Sequence, residues 1–149
     1  MAKSLSIFDV AKAFLSISGM THKKLQKLCY YAQAWYLALY DENLTDEHFE
    51  AWVHGPVSPT LYSRYKHKGW DEIEKLNNEN VNQDLIPFIN EIYRIYGGLS
   101  GDELEMLSHR ESPWIEARGE LKPWESSNDV ISDESMKDYC RGVYESSTK

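Results

Sequence analysis

A chain of 149 residues, 42% apolar and 27% charged, fits one globular domain, and a net charge of −8 excludes sequence-independent nucleic-acid binding, which needs lysine and arginine to displace counterions. Two cysteines without a C-x-x-C pairing exclude a disulfide scaffold and read as reduced, partly buried thiols. The aromatic share of 13% exceeds what a small core needs, which favours rings at a surface that contacts protein.

In chain order, Ser6 and Asp9 form a capping box, and Ile7, Phe8, Ala11, Phe14 and Leu15 follow on one helical face until Gly19. Asp9 and Lys12 interrupt this stretch and no cleavage site follows it. A signal peptide and a membrane span are therefore not expected, and the expected location is cytoplasmic. Thr21 caps a second, long helix whose inward stripe is Leu25, Leu28, Cys29, Ala32, Trp35, Tyr36 and Leu39, ending before Asp41. Phe49, Ala51 and Val53 then alternate with Glu50 and Trp52, as in a short strand or hairpin arm. That alternation puts Trp52 and His54 on one face of the arm, and Gly55-Pro56 make the turn after it. Ser58-Pro59 is a cap followed by proline at the first helical position, with Leu61, Tyr62 and Tyr65 continuing to Gly69.

Residues 74–83 are polar and read as a loop. Leu85, Ile86, Ile89, Ile92, Tyr93 and Tyr96 outline the next helix, with Pro87 confined to its first turn and Gly97-Gly98 at its end. Ser100 and Glu103 form a second capping box before Leu104 and Leu107. Ser112-Pro113 repeats the cap-plus-proline device, and Gly119 stops that helix. Ser132 starts the last helix, with Met136, Tyr139, Cys140 and Val143 inward and 145–149 as a frayed tail. The expected fold is mainly α. It is a compact single domain spanning 1–149, with about six to seven helices and a small β-hairpin or short strand element near residues 44–57.

The residues offer little catalytic chemistry. The five histidines contain no H-E-x-x-H pair, so no metal site is expected; His54, His109 and Glu50 are the one set from which a His-dependent enzyme could be built. No G-x-S-x-G elbow, P-loop or dinucleotide fingerprint occurs, and no cofactor is expected. His22, Lys23, Lys24 and Lys27 open the second helix, where cations oppose the helix dipole. Either they form a solvated basic face, or they meet a carboxylate inside the protein or on a partner. Tyr30, Tyr31, Trp35, Tyr36 and Tyr40 cannot share one face of that helix. It is either buried on two sides or lines a contact surface.

The segments "KLQKLCYYAQAWYLALY" (24–40) and "FEAWVHGPVSPTLYSRY" (49–65), with "LSHRESPWIEAR" (107–118) and "ISDESMKDYC" (131–140), resemble the Panacea, or SocA-like, antitoxin domain over nearly the whole chain. The pairing of the first two segments carries the specificity. The resemblance implies an antitoxin of a bacterial or prophage toxin–antitoxin pair that binds and neutralises a cognate protein toxin. It also admits an adaptor that delivers its toxin to a cytoplasmic protease. Some relatives carry an added DNA-binding domain, which is not expected at this length; no nucleic-acid or membrane partner is expected. Family motif positions carried onto this chain are Leu25, Gln26, Lys27, Leu28, Tyr30, Tyr31, Ala32, Gln33, Trp52, Gly55, Pro56 and Val57. With Lys24, Trp35, His54 and Tyr62, the polar and aromatic members of this set, together with Gly55 and Pro56, are the candidates for partner binding.

Overall fold

The Ser6 capping box forms as the sequence predicts: the Ser6 hydroxyl accepts from the Phe8 N–H and the Asp9 carboxylate from the Ser6 N–H. It opens helix α1, Ile7–Ile17, in a computed structural model that describes residues 5–147. Helix α2, His22–Tyr40, follows with Thr21 as its cap. At 19 residues it is about 28 Å long. Next come a hairpin of β2, Glu50–Trp52, and β3, Gly55–Val57; α3, Pro59–Tyr65; and a 3₁₀ turn, Lys66–Lys68. After a loop and a second 3₁₀ turn come α4, Ile86–Tyr96; α5, Gly101–Ser108; α6, Ser112–Arg118; and α7, Asp133–Ser147. The mainly helical class, with seven α-helices among the described residues, matches the expectation.

Helix α2 is the centre of the molecule, with α1, α3, α4, α5 and α7 packed around it. Every residue from Leu25 to Ala34 is buried. A helix enclosed on all sides has no polar face to spare, so its polar residues must find partners inside. This settles the aromatic question for Tyr30 and Tyr31, which are core. Tyr30 meets Phe49 and Tyr31 edge-on, and Tyr31 stacks on Tyr96 with ring centroids 4.1 Å apart.

Several expectations need correction. Strand β1, Met20–Thr21, pairs with β4, Glu72–Ile73, in a second antiparallel sheet that two-residue strands left unsignalled. The helix ends before Gly19: Ser18, already extended, caps α1, and a side chain at Gly19 would lie 2.7 Å from the Ile73 carbonyl oxygen. Glycine is needed there for close approach of the second sheet. The cap of α6 is Glu111, not Ser112, and its carboxylate serves another element. Leu39 and Val143, expected inward, are exposed on the border of a surface depression between α2, α4 and α7. Helix α7 continues through Glu145 to Ser147 where fraying was expected; 148–149 lie outside the described residues.

The hairpin is placed by hydrogen bonds from both flanks. Its turn is Val53-His54, so alternation ends at Trp52, and Trp52 and His54 do not share a strand face. On one side, the Ala51 N–H donates to the Asp129 carbonyl and the Ile131 N–H to the Phe49 carbonyl, which brings the segment before α7 alongside β2. On the other side lies α2.

Candidate functional site

The candidate residues divide by what they touch. Gln26 is buried and holds Ser58 as a strand partner would: its Nε2 donates to the Ser58 carbonyl at 3.0 Å, and its Oε1 accepts from the Ser58 N–H at 2.9 Å. Gln33 does the same for the chain leaving α2. Its Oε1 accepts from the N–H groups of Leu44 and Thr45, while its Nε2 donates to Asn43 Oδ1 at 2.7 Å. These two amides fix the start of α3 and the loop after α2 to the central helix. Both satisfy backbone groups that burial would otherwise leave unpaired.

Lys27 is 1% exposed and donates to the Pro56 carbonyl at 3.2 Å. Burial, reinforced by the charge of Lys23 and opposed by Glu105, pushes its ammonium down to about 7. Gly55 has φ of +103°, and a side chain on it would sit 2.7 Å from Lys27 Cε and 3.0 Å from Ser108 Oγ. The Lys27–Gly55–Pro56 contact therefore requires glycine both for conformation and for space. Lys24 donates to the Gly97 carbonyl at 2.6 Å, and Lys23 pairs with Asp102 at 2.7 Å and with Glu105. The solvated-face reading of the basic cluster is overturned for these lysines. Cations at the start of α2 are stabilised by internal acceptors on α5 and at the end of α4.

The histidine set predicted for an enzyme is rearranged. His54 Nδ1 lies 3.4 Å and His109 Nε2 3.9 Å from the same Glu105 oxygen, while Glu50 instead joins His48 and the Trp52 indole N–H. Glu50 is thus absent from the cluster. Burial raises the Glu105 carboxyl, but its bonds to Lys23 and His54 hold it below the usual range, so it is an anion committed to cations. The His109 ring stacks on Trp114 at 4.0 Å. No group of three or more His, Cys, Asp or Glu with metal-binding geometry occurs among the described residues.

What remains accessible is a groove of about 360 Å³ between the start of α2, the hairpin and the end of α3. Of the candidates, Gln26 and Lys27 form part of its lining from below, and Trp52, His54 and Tyr62 stand around it. Trp52 and Tyr62 meet edge-on with centroids 5.0 Å apart, and His22 meets Tyr62 the same way at 5.7 Å. The rim is completed by Lys66 and by Trp70, which is 80% exposed. Sequence reasoning did not select those two. A tryptophan directly after the helix-stopping Gly69, in an otherwise polar stretch, was the available signal. Trp35 lies elsewhere: its indole N–H donates to the Tyr96 hydroxyl at 2.8 Å, beside a second, apolar depression bordered by Tyr36, Leu39, Tyr40, Ile95 and Tyr144. Tyr30, Tyr31, Gln33, Gly55 and Pro56 are buried. No described helix is long and apolar enough to cross a membrane.

The clamped hairpin, α2 from Leu25 onward and α5 with the start of α6 fall within residues 25–115, which match the family model described as antitoxin SocA-like, Panacea domain. Comparisons with curated proteins and with solved structures give no significant match. The match spans well over half of the 149 residues and includes most of α2 and the hairpin, and the chain accordingly belongs to the SocA-like Panacea antitoxin domain family.

Proposed function

We propose that this protein is the antitoxin of a toxin–antitoxin pair and neutralises a cognate protein toxin by direct binding, with the groove beside the hairpin as its contact surface. Family membership is the observation that carries the reading. The division of the motif residues supports the choice of surface. Gln26 and Lys27 are occupied with holding the start of α3 and the hairpin, and beside them stands a rim of exposed or half-exposed rings and cations. Tryptophan and tyrosine at a partly desolvated rim have the composition of a binding hot spot.

The test is co-expression with the protein encoded by the adjacent open reading frame. That protein alone should arrest growth; the wild-type antitoxin should restore it and co-purify with it. Trp70→Ala, which removes no buried contact, should weaken both effects. A harmless neighbour, or rescue without complex formation, would sink the proposal.

An adaptor reading shares this surface and adds a contact to a protease. It draws support from the apolar depression at the opposite end of α2, where Leu39, Tyr40, Ile95 and Tyr144 are exposed. Pulse-chase of the toxin separates the two roles, because an adaptor shortens toxin half-life and a simple inhibitor does not.

A further inference from the structure

The groove has a charge opposite to that of the whole protein. The chain carries a net −8, yet the groove is lined by His22, Lys23, Lys27, His54 and Lys66. Two of these cations are already matched: Lys23 by Asp102 and Glu105, and His54 by Glu105. Among the described residues, Lys27 and Lys66 have no carboxylate within ion-pair distance, and His22 Nδ1 is buried with no hydrogen-bond partner. Lys27 has three N–H donors and one carbonyl acceptor, Pro56. The buried Lys27 ammonium, left with unused donors beside an open groove, calls for an acceptor from outside, and the unpartnered His22 Nδ1 can donate to the same acceptor once the ring is protonated. The aromatic walls of Trp52, Tyr62 and Trp70 exclude water around such an acceptor and strengthen its attraction to the cations.

We infer that the groove receives a carboxylate side chain from an acidic segment of the partner protein, which pairs with Lys66 at the rim and with Lys27 and His22 at the floor. This rests on the antitoxin reading for the identity of the partner, but not for the chemistry of the groove. A phosphate is the poorer fit. The Lys24 N–H at the first turn of α2 is taken by Thr21 Oγ1, the Gln26 amide is committed to Ser58, and no glycine-rich run of free N–H groups surrounds the groove.

Binding should be linked to protons. Burial holds both Lys27 and His22 below their ordinary values, with Lys27 and His67 adding to the effect on His22. The other charged groups facing them are Lys23 on α2, His54 on the hairpin, Lys66 after α3, and Asp102 and Glu105 on α5. A carboxylate entering this set favours the protonated forms, so affinity should rise as pH falls from about 8 to about 6.

Tryptophan fluorescence of the full chain tests this directly, with three probes: a capped Gly-Glu-Phe-Glu-Gly peptide, its Gln-for-Glu counterpart, and inorganic phosphate. The acidic peptide should give a saturable change, with the amide version and the Lys66→Glu protein each weaker by about tenfold or more. Circular dichroism checks that Lys66→Glu keeps its fold, as expected for an exposed position. The inference is overturned if phosphate binds as tightly as the peptide, if Lys66→Glu leaves peptide binding unchanged, or if no probe saturates. In cells, rescue by wild type but equally by Lys66→Glu sinks the carboxylate site and leaves the antitoxin reading standing. Failure of wild type to rescue sinks the antitoxin reading, and the peptide titration still decides the chemistry of the groove.

Discussion

At the scale of single residues, this protein uses side-chain amides where other folds use strands. Gln33 makes three hydrogen bonds, two of them to backbone N–H groups that have no other acceptor in view. Gln33→Ala should cost about 2–4 kcal/mol, because it leaves those donors buried and unpaired. Urea denaturation measures the cost, and faster amide exchange at Leu44 and Thr45 identifies its source. Gly55→Ala should cost about 1–3 kcal/mol through its positive φ and the contact with Lys27. A melting temperature equal to wild type would show that the hairpin can shift to make room. Sequence patterns exposed the caps at Ser6, Thr21, Ser58 and Ser100, because a cap is a local contact. They gave no hint that Gln26 and Gln33 face inward, and for Lys27 only the awkward placing of cations at a helix start. A buried polar residue makes a helix look less amphipathic than it is enclosed, and its partner lies 10 to 32 residues away.

At the scale of elements, the hairpin depends on Arg118. From α6 its guanidinium donates to the Ala51 carbonyl at 3.0 Å, reaches the Lys122 and Glu125 carbonyls, and lies over the Trp114 ring; the Trp114 indole N–H in turn donates to the Trp52 carbonyl at 2.8 Å. One planar fork thus joins β2, α6 and the chain after it. Lysine cannot reproduce this geometry. Arg118→Lys should lower stability by about 1–3 kcal/mol, and amide exchange should quicken in 50–57 while α1 and α4 stay protected. The long helices and the hairpin were legible in the sequence because each repeats its period several times or carries strong turn signals. The two-residue sheet of β1 and β4 was not, since its pairing is set by tertiary contact and leaves no periodic trace.

At the scale of the whole molecule, two buried groups give an unusual dependence of stability on pH. Burial raises the Glu111 carboxyl to about 7, against the hydroxyls of Tyr31 and Tyr139 that bond to it. The folded protein then keeps a proton that the unfolded chain releases from about 4.5 upward, and stability from this group falls as pH rises to about 7. Lys27 is lowered from 10.5 to about 7, so above that pH the unfolded chain holds a proton that the folded protein lacks, and stability rises toward 10.5. The two contributions meet in a trough near neutrality, with slopes of up to about 1.4 kcal/mol per pH unit on either side. Urea midpoints from about pH 5 to about pH 9 should reveal it. Glu111→Gln should flatten the acid arm alone and Lys27→Met the alkaline arm alone; a single maximum near neutral pH in the wild type would refute the assignment.

Because Gln26 and Gln33 point inward while His54, Lys66 and Trp70 point out, the scaffold and the rim of the proposed contact surface can be edited separately. His54, Lys66 and Trp70 are all exposed, and none holds a buried hydrogen bond. Replacing all three should shift stability by no more than about 1 kcal/mol. A library randomised at these positions, on an unchanged 25–33 segment, would then sample new partners on one frame. Shared motif residues would serve as a guide to architecture, and partner specificity would have to be sought in the few side chains that stand above them.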